Sequence, residues 1–282
     1  MAIHTIAVIG AGTMGRGIAQ IAATAGVNVL LIDVNDAALQ RGLDAIGGGL
    51  ERLVKKATLT TAQKQTALGL IKPTMIYGDI AAAEIVIEAV TENFEVKAGI
   101  LRQIDAVRKV DSVVASNTSS VSITRLAALL ARPDQFIGLH FFNPVPVMAL
   151  IEIVRGLQTS DATHEVAEAF ARQLGKSPIT VRNAPGFVVN RLLLPMINEA
   201  FFVLSESDAS ATEIDQGMKL GCNHPMGPLA LADLIGLDVL LSVMDTIHAD
   251  IGDPKYRPSP LLRELVEAGY LGRKSGRGVF RD

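Results

Sequence analysis

The stretch Thr5–Asp33 constrains the fold more than any other part of the chain. T-I-A-V-I at Thr5–Ile9 is a short β-branched run, and it flows directly into Gly10-Ala11-Gly12-Thr13-Met14-Gly15. Arg16–Ala25 continues with helix-friendly spacing, and Val27–Ile32 is a second apolar run that ends at Asp33. A lone G-x-G-x-x-G says little, because glycine is common. Here it leaves a strand, opens a helix and is followed by an acid at the end of the next strand, which is the dinucleotide-binding arrangement. The glycines allow a tight turn and close approach of backbone to a pyrophosphate, with the helix N-terminus facing the anion. Asp33 is predicted to accept hydrogen bonds from the adenosine ribose hydroxyls. A carboxylate there repels a 2′-phosphate, so NAD is favoured over NADP.

Beyond Asp33, Asn35–Lys56 and Thr60–Leu70 read as two helices inserted after the second strand. Arg52, Lys55 and Lys56 share one helix face. On sequence alone that is a solvated charged face; the sharper alternative is a hold on the phosphates of a bulky anionic substrate. Met75–Tyr77 reads as a weak strand and Ile85–Val90 as a stronger one, with Glu92 just past its C-terminal end. Ligands in doubly wound folds bind beyond such ends, which puts Glu92 in a cofactor position. Phe94–Arg108 is an amphipathic helix carrying Lys97. Val113–Ser116 is a further strand, and Asn117-Thr118-Ser119-Ser120 leaves its end. Ser122 or a neighbour is placed to cap a helix over Ile123–Ala131. Capping accounts for one or two of these hydroxyls but not for the whole cluster.

Phe136–Val154 holds two apolar runs around a proline-broken turn, with His140 in the first run and Glu152 in the second. If Phe136–Phe142 and Ala149–Val154 pair as an antiparallel hairpin, the two side chains fall opposite each other, with Cβ atoms about 5 Å apart. A bare acid in such an apolar strand is costly, and His140 is its nearest partner. A carboxylate so placed fixes the imidazole tautomer and stabilises the protonated ring. Glu165–Leu174 then reads as a helix and Ile179–Val181 as a last strand.

The pattern changes at Ala184-Pro185-Gly186. Phe187–Glu206 reads as a long apolar helix with Pro195 inside it, and Ser210–Glu213 as a capping box opening the next helix. Leu229–Ala249 is helical with a break near Gly236, and Ser259–Glu267 is a last short helix. The fold class is therefore α/β: a Rossmann-type, doubly wound, mostly parallel sheet over residues 1–184, with a helical insertion near 35–70, followed by an all-helical C-terminal domain over 185–282. The helical domain's apolar surface exceeds what a lone small bundle needs, which points to a homodimer through it. Asn190, in the first turns of the long helix, is either a surface amide or a donor toward the cleft between the domains.

Composition narrows the function classes. The net charge of −3 argues against a general nucleic-acid binder. The single cysteine, Cys222, allows no intrachain disulfide. With no basic leader before the first strand, this suits a reducing cytoplasm. No apolar stretch reaches membrane-spanning length before a Gly, Asp, Arg or Pro interrupts it, and no metal site is expected.

Six segments in order resemble the L-3-hydroxyacyl-CoA dehydrogenase family in its short, single-function form: V-I-G-A-G-T-M-G-R-G-I-A near the start, A-S-N-T-S-S at 115–120, G-L-H-F-F-N-P-V-P-V-M at 138–148, P-G-F-V-V-N-R at 185–191, K-L-G-x-x-x-P-M-G-P at 219–228 and G-x-K-S-G-x-G at 272–278. The resemblance implies NAD-dependent interconversion of (S)-3-hydroxyacyl-CoA and 3-oxoacyl-CoA, with a short acyl chain. It implies that His140 is the general base, that Glu152 orients it, and that Ser119 and Asn190 hydrogen-bond the substrate. It also implies that Glu92, Lys97, Ser119, Asn143 and Lys274 lie near the nicotinamide half of the cofactor, and that Lys56 meets the CoA moiety. Gly49 departs from the pattern, standing where some relatives have serine. The rival enzyme readings are a hydroxy-acid dehydrogenase with a catalytic lysine in the long helix, which Phe187–Leu204 lacks, and a gulonate-type dehydrogenase with the same His-Glu pair. The non-enzyme rival is a dinucleotide-sensing or structural protein.

Overall fold

In the computed structural model, which describes residues 2–281, the chain forms two compact units that divide between Ala184 and Pro185. In the first unit the chain runs β1 (Thr5–Ile9), α1 (Thr13–Thr24), β2 (Asn28–Ile32), α2 (Asp36–Lys55), α3 (Thr61–Gly69), β3 (Ile71–Thr74), β4 (Ile85–Glu88), α4 (Phe94–Val107), β5 (Val113–Ser116), α5 (Ile123–Ala127), β6 (Phe136–Phe141), β7 (Leu150–Arg155), α6 (Asp161–Gln173) and β8 (Ser177–Arg182). These strands make one eight-stranded sheet in the order β3-β2-β1-β4-β5-β6-β7-β8. β1 to β6 are mutually parallel where they pair, β7 runs antiparallel to β6, and β8 is parallel to β7.

The central strands are largely apolar and buried because helices cover both faces of a parallel sheet. β4, β5 and β6 are buried at every position. Apart from α1, the helices of this unit begin where side chains satisfy their first N–H groups. Asn35 accepts from Ala38 N, Asn93 from Val96 N, Ser122 from Arg125 N and Ser160 from Thr163 N. Thr60 and Gln63 form a full capping box on α3.

The strand expected at Met75–Tyr77 lies elsewhere. β3 occupies Ile71–Thr74, and Tyr77–Ala82 is a 3-10 turn. Met75 and Ile76 suggest a strand by hydrophobicity alone, yet both side chains are exposed. β3 pairs only with β2 and sits at the sheet edge, the one place where Pro73 costs no ladder hydrogen bond. α6 also starts earlier than expected, at Asp161 behind its Ser160 cap, and α5 ends sooner, at Ala127.

The second unit comprises α7 (Val189–Glu206), α8 (Ala211–Gly221), α9 (Pro228–Ile235), α10 (Leu237–Ile251) and α11 (Pro260–Glu267). Its core joins Leu194, Ile197 and Phe201 of α7 to Leu229 and Ala232 of α9 and Leu240 and Met244 of α10. Gly236 separates α9 from α10 at φ 102°, a conformation that side chains disfavour. Two buried aspartates pin this unit. Asp215 of α8 accepts from Leu229 N and Ala230 N at the start of α9. Asp233 of α9 accepts from Val279 N and Phe280 N at 2.9 and 2.8 Å, tying the last segment down. No helix of the described residues is long and apolar enough to cross a membrane.

Replacing Asp233 with alanine strands two N–H groups at once. The expected cost to the second unit's stability is about 2–4 kcal/mol, read by chemical denaturation. A change below about 0.5 kcal/mol would show that solvent replaces this carboxylate easily.

Candidate active site

The loop between β1 and α1 is built for close approach. Gly10 has φ 105°, and a Cβ there would fall 2.8 Å from Ala89 O. A Cβ on Gly15 would fall 1.7 Å from Gly10 O, so α1 packs directly against the turn. At Gly12 nothing lies within 4 Å of the Cβ position, and no side chain caps α1. The first N–H groups of α1 therefore face an open cradle that a side chain would fill, which fits a pyrophosphate. Thr13 lines a groove described below, and Met14 packs on the core. Ala11 is buried, and its N–H donates to Asp33 Oδ2 at 2.7 Å, while Val34 N donates to Oδ1 at 2.7 Å. Asp33 thus braces the glycine loop, a role that residue spacing does not reveal. Each carboxylate oxygen keeps acceptor capacity for a ribose hydroxyl.

A second cluster gathers at the C-terminal ends of β4 and β5. Glu88 is fully buried. It accepts from Lys97 Nζ through both oxygens at 2.9 and 3.0 Å, from Val90 N at 2.8 Å and from Ser116 Oγ at 2.6 Å. Lys97 is itself buried and reaches Glu92 Oε2 at 3.3 Å. Its ammonium is thus held between two carboxylates and does not reach solvent. Glu92 accepts from Thr118 Oγ1 at 2.8 Å, from Ser119 Oγ at 2.9 Å and from Ser119 N. Burial works to raise the Glu92 pKa, but the Lys97 charge and the Thr118 and Ser119 hydrogen bonds outweigh it and hold the carboxyl below its usual range. Asn117 serves the sheet instead. Its Oδ1 accepts from Phe141 N at 3.0 Å and ties the end of β5 to β6. The polar run after β5 is therefore largely a lattice around Glu92 and β6.

β6 and β7 pair with His140 opposite Glu152. Glu152 is fully buried, His140 is 5% exposed, and Nδ1 lies 2.7 Å from Glu152 Oε2. The carboxylate accepts, so Nδ1 carries the hydrogen and Nε2 is the basic nitrogen. The Phe142 ring stands 4.4 Å from the imidazole, centroid to centroid. The turn that follows is held by Lys176, whose ammonium donates to Val145 O and Met148 O at 2.7 Å each. Nothing in the sequence spacing singles out Lys176, because its partners are backbone carbonyls.

Asn143 in that turn shares one groove with Thr13 and Arg16 of α1 and with Arg52 and Lys56 at the end of α2. The insertion thus brings its basic face beside the glycine loop. Lys55, grouped with this face on sequence, does not line the groove. At Gly49 a Cβ would fall 2.4 Å from Gln20 Oε1, so the Gln20 amide takes up the space of a side chain there. In the second unit, Asn190 is half-buried in the first turn of α7, and Lys274 Nζ pairs with Asp238 Oδ2 at 2.6 Å. Asp238 answers this pairing: burial pushes its pKa up, but hydrogen bonds from Lys274 and backbone N–H groups leave it lowered.

Comparisons with known proteins bear on this geometry. The 3-hydroxyacyl-CoA dehydrogenase NAD-binding domain family matches residues 5–184, and the 3-hydroxyacyl-CoA dehydrogenase C-terminal domain family matches residues 186–282. A 3-hydroxybutyryl-CoA dehydrogenase of Bradyrhizobium diazoefficiens is 50% identical, over 99% of this chain and 95% of that protein. A probable 3-hydroxybutyryl-CoA dehydrogenase of Bacillus subtilis is 48% identical, over 99% of this chain and 98% of that one. The crystal structure of (S)-3-hydroxybutyryl-CoA dehydrogenase PaaH1 from Ralstonia eutropha matches with a TM-score of 0.97 and 60% identity, over 99% of each chain. Along both halves of its sequence and over its whole length, this chain belongs to the 3-hydroxyacyl-CoA dehydrogenase family of oxidoreductases.

Proposed function

We propose that the chain interconverts (S)-3-hydroxybutyryl-CoA and acetoacetyl-CoA, with His140 as acid/base and NAD as the redox partner. The observation that carries this reading is the buried His140–Glu152 contact of 2.7 Å. In the oxidative direction the substrate loses a proton from its C3 hydroxyl and a hydride from C3. His140 takes the proton on Nε2, and the Glu152 carboxylate stabilises the imidazolium that results. When bound, the oxidised dinucleotide supplies the acceptor for the hydride. In the reverse direction the imidazolium polarises the 3-oxo group and returns the proton. Ser119 and Asn190 take the roles that family membership implies for them, hydrogen bonds that orient the substrate's oxygens.

Two features favour a CoA ester over a free hydroxy acid or sugar acid. Arg16, Arg52 and Lys56 line one groove with Asn143, which suits phosphate groups, and the His140 hairpin leads straight into Asn143. A free acid needs no such extended basic groove. The Asp33 carboxylate supports NAD over NADP, because a 2′-phosphate beside it meets like charge. A dinucleotide sensor without chemistry has no need of a buried His–Glu pair.

His140→Ala is expected to lower turnover by at least about 100-fold while NADH affinity, read by fluorescence titration, changes little. Near-wild-type turnover in that variant removes His140 from the mechanism. A second measurement addresses substrate and cofactor together: oxidation of NADH and of NADPH followed at 340 nm with acetoacetyl-CoA. Turnover with NADH well above that with NADPH is expected. Preference for NADPH contradicts the Asp33 argument, and turnover only with a free hydroxy or sugar acid contradicts the CoA assignment.

A further inference from the structure

The buried ions beneath Glu92 are more than a support for it. Every group that reaches Glu88 is a donor: Val90 N, Ser116 Oγ and the Lys97 ammonium, which contacts both of its oxygens. A carboxyl that only accepts is ionised. The same holds at Glu92, which accepts from Lys97, Thr118 and Ser119, and whose carboxyl is held below its usual range. Two carboxylates therefore surround one ammonium, and the cluster carries one negative charge in excess. Glu88 holds Lys97 with two contacts of 2.9 and 3.0 Å against one of 3.3 Å to Glu92. Glu88 takes the larger share of the ammonium, which also holds the Glu92 carboxyl low, and the cluster's one excess charge meets solvent through Glu92, whose side chain is 42% exposed.

The sheet order says which part of a dinucleotide meets this charge. The glycine loop after β1 faces the pyrophosphate, and Asp33 at the end of β2 marks the adenosine side. β4 and β5 lie on the opposite side of β1, so their ends face the nicotinamide half. The nicotinamide ring is cationic when oxidised and neutral when reduced. We propose that the Glu88–Lys97–Glu92 cluster biases the site toward the oxidised cofactor, and that Glu88 sets the bias by neutralising Lys97. This rests on the reading of the chain as an NAD enzyme. Glu88 is then a positioning residue that acts through the charge it leaves on Glu92, not through contact with any ligand. Without Glu88, Lys97 is left to Glu92 and the excess charge vanishes.

The test is a pair of equilibrium titrations, NAD⁺ and NADH, on the wild type, Glu88→Gln and Glu92→Gln. The glutamine at 88 removes the charge and keeps its amide oxygen as acceptor for Val90 N; its NH2 then faces Ser116 Oγ, whose hydroxyl can turn to accept. In both variants the ratio of the NAD⁺ dissociation constant to that of NADH is expected to rise by about 3- to 10-fold over wild type, as loss of one charge within about 10 Å of the ring dictates. A support role alone weakens both cofactor forms equally and leaves the ratio unmoved. A ratio within about 1.5-fold of wild type in both variants overturns the proposal. A shift in Glu92→Gln without one in a folded Glu88→Gln overturns the part assigned to Glu88. If Glu88→Gln does not fold, the surface variant Glu92→Gln decides whether the charge biases the site. A wild type that binds neither nucleotide overturns the NAD reading itself, and is told apart by that result alone.

Discussion

A carboxylate with no solvent access, in the middle of a β-strand, has to be matched by a donor or it unfolds the strand around it. Glu152 is in that position, and much of the first unit is arranged so that its match is His140. β6 ends the run of parallel pairings that starts at β3, and the chain reverses after it, so that β7 returns in the register that sets the two side chains face to face. Lys176 fixes the carbonyls of the reversing turn, and Asn117 fixes the edge of β6 from the end of β5. Each is a polar contact to backbone, and together they leave the hairpin little freedom to slip. A slip by one residue would send both side chains to opposite faces of the sheet.

Buried charge recurs a few strands away. Glu88 and Lys97 are both hidden from solvent, where replacing an ion pair with apolar groups is often neutral or stabilising. Stability is therefore a weak reason for the pair to be there. Function is a better one: the cluster presents Glu92, with its Thr118 and Ser119 partners, at the strand ends where a doubly wound sheet meets its ligand. On the proposed reading, two buried carboxylates handle two charges of the chemistry. In the mechanism proposed above Glu152 stabilises the imidazolium, and in the proposal for the Glu88–Lys97–Glu92 cluster Glu88 sets the field at the nicotinamide half.

Much of this is legible in the sequence because it follows from pattern. The glycine loop is recognisable by what flanks it, and the hairpin by its apolar runs placed around prolines. The helix caps at Ser122 and Ser210 are read from the same chemistry that makes them work, whereas the Ser160 cap, which lies ahead of the expected start of α6 at Glu165, is not. What stays hidden is of another kind. The edge strand at Ile71–Thr74 reads from sequence as Met75–Tyr77 because hydrophobicity cannot tell an exposed apolar pair from a buried one. Glu88 looks like an ordinary strand residue, and Lys97 like a surface lysine on an amphipathic helix; only the packing of α4 against β4 makes them partners. Lys176 binds carbonyls, which every residue has, so no spacing betrays it. The bracing of Ala11 by Asp33 likewise depends on a loop conformation rather than on residue type.

The proposed chemistry requires Glu152 to hold His140 in the tautomer with hydrogen on Nδ1 and the basic lone pair on Nε2. Ring nitrogen shifts of ¹⁵N-histidine-labelled protein report this directly at a pH where the imidazole is neutral. With His140 assigned by the loss of its signals in a His140→Gln variant, the expected result is a protonated Nδ1 and an unprotonated Nε2, with the preference relaxed in Glu152→Gln. A neutral ring protonated on Nε2 in the wild type would contradict the account, because that nitrogen has no lone pair with which to take the substrate's proton.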